Sequence, residues 1–288
     1  MRPQAPAPPP PAPAGPSYTR PCTLARRADA LVLPAPNELV DAIPDADPIA
    51  VHTVRSWVGK LLAQRLRPDL ERVLRGFDAE PGAPYAFNAA EMGKRKIKNV
   101  CLAYLAKLGD PKVLDDCHAR FRAATNMTDA MAAIAALNDS PGLQREQALG
   151  EFADKWREES LVMLKWLSLC ASSNVPGNLK AVDALLAHPS FSIKNPNCCY
   201  SLLGAFASSP VNFHNEDGSG YRWLADRVIQ LNGINAQVAA RVLNPFVRWR
   251  KYDSKRQALM RAELERIAAT PGLCDDVFEI VSKSLEAA

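Results

Sequence analysis

The sequence predicts an all-α chain, an α-solenoid of HEAT or armadillo kind with about a dozen short helices. Three observations carry that expectation: a repeated helix-start signal, apolar residues at helical spacing, and the near absence of alternating strand patterns. The start signal is a capping residue followed by proline. It occurs at Asp47-Pro48, Asp110-Pro111, Ser140-Pro141, Asn195-Pro196 and Asn244-Pro245. The capping side chain accepts a hydrogen bond from an otherwise orphan N–H, and proline loses nothing where that N–H would be unpaired anyway. Ile97, Val100, Cys101, Tyr104, Leu105 and Leu108 then form one apolar stripe of a helix. Gly109 ends that helix, and Asp110-Pro111 starts the next. Val277, Phe278, Ile280, Val281 and Leu285 give the last helix its expected buried side. No strict sequence period recurs, so the repeat is structural at most.

The chain divides into a leader, residues 1–27, and a helical domain, residues 28–288. The stretch from Met1 to Pro21 holds nine of the 24 prolines, and no acid precedes Asp29. Such a segment favours polyproline II, buries little and is expected to be disordered. Arg2, Arg20, Arg26 and Arg27 give it some likeness to an organelle-import signal, but it is poor in serine and has no amphipathic helix. The expected compartment is the cytoplasm. Seven cysteines, with no C-x-x-C and no secretory signal, read as free thiols of a reducing compartment. The net charge of +4 argues for neither nucleic acid nor a membrane surface, and no apolar run is long enough to span a bilayer.

Motifs for chemistry are missing. The four histidines, His52, His118, His188 and His214, include no H-E-x-x-H, and no Walker loop, G-x-S-x-G or dinucleotide fingerprint occurs. Read as an EF-hand loop, the segment from Phe213 puts Phe213 and Leu224 where carboxylates are needed, so Asp217-Gly218-Ser219-Gly220 is a turn before a helix near Tyr221. Lys94-Arg95-Lys96-Ile97-Lys98 reads as a solvated helix face. A second basic cluster, Arg241, Arg248, Arg250, Lys251, Lys255, Arg256 and Arg261, is interleaved with Phe246, Trp249 and Tyr252. Aromatics at that spacing belong to a core more often than to a nucleic-acid platform.

Beyond this the residues carry a resemblance over about Ala28 to Ala288. Its early stretches are Leu33-Pro34 with Asn37-Glu38, Asp47-Pro48-Ile49-Ala50, Lys94-Arg95, Asn99-Val100-Cys101-Leu102 and Asn126-Met127-Thr128-Asp129. Asp154-Lys155-Trp156, His188-Pro189-Ser190-Phe191, Asn195-Pro196-Asn197 and Gly204-Ala205-Phe206 follow. Glu216-Asp217-Gly218-Ser219-Gly220-Tyr221 and Lys251-Tyr252-Asp253-Ser254-Lys255-Arg256-Gln257 complete the set. In order and spacing these resemble the C-terminal helical domain of zinc aminopeptidases of the aminopeptidase N family, of the bacterial and plant alanyl type.

The resemblance implies a partner rather than a catalyst. Family members carry zinc, H-E-x-x-H and G-x-M-E-N in a preceding catalytic domain, and the helical domain closes over it as a cap. This chain holds none of those motifs, so no catalytic, cofactor or metal residue is assigned to it. It is expected to be inactive alone, with a catalytic domain as its partner, in cis or in trans, and peptides as substrates of the whole enzyme. Arg241 matches a family arginine that faces the internal cavity and is the one candidate substrate-cavity residue. Where the family usually has arginines after Asn195-Pro196-Asn197, this chain has Cys198, Cys199 and Tyr200. Leu164 likewise stands where an acid is usual. The alternative reading is an independent α-solenoid interaction scaffold without enzymatic activity.

Overall fold

In the computed structural model, residues 23–78 and 84–286 are described, and they are helical with no strand among them. The leader expected at 1–27 lies outside the described residues up to position 22. From Thr23 the chain enters α1 (Leu24–Ala30), where the Thr23 hydroxyl accepts a hydrogen bond from Arg26 N. α2 (Pro36–Asp41) and α3 (Pro48–Arg65) follow, then α4 (Arg67–Gly76) and α5 (Ala89–Ala106). Next come α6 (Pro111–Ala123), α7 (Met127–Leu137), α8 (Leu143–Trp156), α9 (Ser160–Ser172) and α10 (Leu179–Ala184). α11 (Pro196–Cys199) runs through a π-helical stretch (Tyr200–Gly204) into α12 (Ala205–Ala207). α13 (Pro210–Phe213), α14 (Ser219–Asn232), α15 (Ala236–Val247), α16 (Ser254–Ala268) and α17 (Asp275–Glu286) complete the order.

Many of the helices pack on a sequence neighbour and also on the helix two places along. α5 lies against both α3 and α7, α6 against α8, α14 against α16, and α15 against α17. Layers of like helices stacked on one another make an α-solenoid.

Three of the five proline signals start helices. Asp47 Oδ1 accepts from Ile49 N at 2.8 Å and Ala50 N at 3.1 Å, and Asp110 and Asn195 cap α6 and α11 in the same way. The other two are corrected by the structure. Ser140 N donates to Leu137 O at 2.9 Å, so Ser140 closes the last turn of α7, and α8 begins only at Leu143. Asn244-Pro245 falls inside α15, whose start is capped by Asn235, with Val238 N at 3.1 Å from Oδ1. Proline there gives no N–H to the Arg241 carbonyl, and the helix ends two residues later, at Val247.

Burial follows the expected stripe on α5, where Ile97, Cys101, Tyr104 and Leu105 are buried. On α17 the stripe is narrower than expected. Val277 and Val281 are fully buried, with Ser284 continuing their row, whereas Phe278 sits a third of a turn away and is 54% exposed.

The segment before α3 meets the loop before α16. Asp45 adopts φ 48°, a left-handed conformation that aspartate tolerates better than most residues. The turn presents Ala46 to the loop before α16, forming a single parallel bridge with Tyr252. Ala46 N donates to Lys251 O at 3.0 Å, and Asp253 N donates to Ala46 O at 3.1 Å. Arg248 and Lys251 both pair with Asp41, and Arg256, 2% exposed, reaches Asp47 and Asp253. Three residues of the second basic cluster, Arg248, Lys251 and Arg256, thus clasp the acidic segment that precedes α3. Phe246, Trp249 and Tyr252 are buried in the core beside it, as their spacing indicated.

Candidate functional site

Arg241 lies mid-way along α15 and is exposed, with Val238, Ala239 and Val242 of the same helix buried. Its guanidinium carbon stands 4.4 Å from the centroid of the Tyr200 ring, a cation–π contact. Among the described residues no carboxylate pairs with Arg241. Its charge is therefore held in place by an aromatic face, with its N–H groups unclaimed by any acid. A guanidinium in that state has donors in a planar fork ready for a carbonyl or carboxylate.

Two backbone features frame the pair. Tyr200 opens the π-helical stretch, and such insertions shift the register of the side chains that follow. Pro245 stands four residues after Arg241 and has no N–H to give, so the Arg241 carbonyl lacks its usual helical donor. The Arg241 cation and the Tyr200 ring meet where α15 packs on the π-helical stretch.

The cysteines that depart from the family pattern behave differently from Tyr200. Cys198 and Cys199 are buried, their thiols directed at Ser190 O and Ile193 O. Burial pushes the Cys199 thiol up to about 11, so it stays protonated and inert near neutrality. Of the three departures after Asn197, the two cysteines are buried, and only Tyr200 joins Arg241. Tyr200 is visible in the sequence as a departure from the family pattern, whereas its contact with Arg241 depends on α15 packing against the π-helical stretch.

The histidines do not converge. His52 Nε2 is 3.4 Å from Ser56 Oγ, His118 Nε2 is 3.3 Å from Glu151, His188 packs on Trp166, and His214 Nδ1 is 2.8 Å from the Tyr221 hydroxyl. Among the described residues no three His, Cys, Asp or Glu side chains come close enough to hold a metal ion. The zinc of the family enzymes therefore has no ligand set among those residues.

The first basic cluster is only partly a solvated face. Lys94 and Lys96 are half exposed and pair with Glu91 and Asp29. Lys98 is instead largely buried against Asp129, at 2.9 Å, with Asn99 and Asn126 also donating to that carboxylate. Burial works against ionising Asp129, but these donors outweigh it and hold its carboxyl below the usual range. The cluster's most buried cation is a structural tie between α5 and α7. Among the described residues no helix is long and apolar enough to cross a membrane.

Comparison with known proteins agrees with this architecture. Residues 21–286 match the family described as "Domain of unknown function (DUF3458_C) ARM repeats". Aminopeptidase N of Escherichia coli is 39% identical over 263 residues, covering 91% of this chain and 30% of that protein. Aminopeptidase N of Haemophilus influenzae is 36% identical over 89% of this chain and 29% of its own length. The crystal structure of Legionella pneumophila aminopeptidase A in complex with aspartic acid superposes with a TM-score of 0.84 at 28% identity. It covers 92% of this chain and 32% of its own. The chain thus spans about 30% of the length of the relatives it matches, within their C-terminal part.

Proposed function

The chain belongs to the DUF3458_C ARM-repeat family, the C-terminal helical domain of aminopeptidase N enzymes, and from that premise we propose that it caps the active site of an alanyl-type zinc aminopeptidase. A catalytic domain supplies the zinc and breaks the bond, and this domain controls how peptides reach it. The observation that supports the reading most directly is Arg241, held over Tyr200 with no acidic partner among the described residues. A cation kept free of acids suits the carbonyls or terminal carboxylate of a peptide, through charge-assisted hydrogen bonds of about 1.5–3 kcal/mol each. The exposed apolar side chains Trp57, Phe87, Met92 and Leu161 suit a domain that rests against another.

The test is a chimera in which this chain replaces the matching segment of the Escherichia coli enzyme. Peptide hydrolysis restored relative to an enzyme lacking the segment supports the cap. A chimera that folds and binds zinc, yet handles peptides no better than the truncated enzyme, contradicts it.

A further inference from the structure

We draw no further inference here: the strongest candidate, the apolar pocket of about 210 Å³ between α1, α3, α4 and α5 that Leu31, Leu33, Leu62, Leu66, Leu70 and Tyr104 line, is an unpartnered surface, and nothing in the structure shows what covers it.

Discussion

Arg256 Nη1 lies 3.2 Å from Asp47 Oδ1, joining the first turn of α3 to α16 near the other end of the solenoid. The same nitrogen is 2.5 Å from Asp253, and Arg256 Nε donates to His214 O at 3.1 Å. One buried guanidinium therefore connects three segments distant in sequence. Burial works against ionising Asp253, but hydrogen bonds from the Arg256 side chain and backbone outweigh it and keep its carboxyl below the usual range.

Removing that guanidinium takes the ion pair from two carboxylates, which keep their backbone N–H donors, and takes the side-chain donor from the His214 carbonyl. Arg256→Met is expected to cost about 2–3 kcal/mol, less than a fully buried pair because both carboxylates retain water. Arg261→Met, which loses only an exposed pair with Glu265, is expected to change stability by less than about 0.5 kcal/mol. Urea denaturation of both variants checks the contrast.

Stability is expected to fall as pH drops from about 6.5. Burial, with Arg256 close by, pushes His214 down to about 3, so the folded state keeps it neutral while the unfolded chain takes up a proton. Below pH 6.5 the unfolded state binds more protons, and stability declines by up to about 1.4 kcal/mol per pH unit for one such group. Burial lowers His52 in the same direction, so His214→Gln is expected to flatten the decline without abolishing it. Denaturation midpoints from pH 7 to about pH 4 decide it; an equal slope in both proteins contradicts the assignment.

Gly220→Ala is expected to destabilise strongly. A Cβ there would lie 2.4 Å from Phe213 O and 2.6 Å from Asn212 O, backbone atoms that cannot swing aside. The cost is about 3 kcal/mol or more, at the upper end of overpacking. Gly150→Ala, in α8 with nothing within 4 Å, is expected to be neutral or mildly stabilising. Thermal melts of the two variants separate close approach from simple helix propensity.

Local signals were legible and long-range ones were not. Asp47, Asp110 and Asn195 cap helices because a cap depends on neighbouring residues alone. Gly218, read as a turn residue, does adopt a left-handed φ of 72°. Gly220 in the same motif has a different reason, the approach of α14 to the backbone of α13, which requires knowing what lies opposite. Asn244-Pro245 misled because a cap-and-proline pair looks identical at a helix start and near a helix end. Arg248, Lys251 and Arg256 read as an undirected basic cluster, since their acids, Asp41 and Asp47, lie near the other end of the chain. Arg241 was found through the family resemblance, whereas its contact with Tyr200 needed the fold.

The measurement that bears most directly on the cap is the effect of Arg241→Ala in the Escherichia coli chimera on KM for two substrates. One is a tetrapeptide and the other an alanyl amide with a chromogenic leaving group, which reaches little beyond the zinc. Loss of a charge-assisted hydrogen bond, about 1.5–3 kcal/mol, corresponds to a rise in peptide KM of roughly tenfold or more. The amide KM is expected to stay within about twofold, and Tyr200→Leu to give a smaller peptide-selective rise as the cation–π contact of about 0.5–1 kcal/mol is lost. Equal changes for both substrates, or no change for either, would contradict a peptide-guiding role for Arg241.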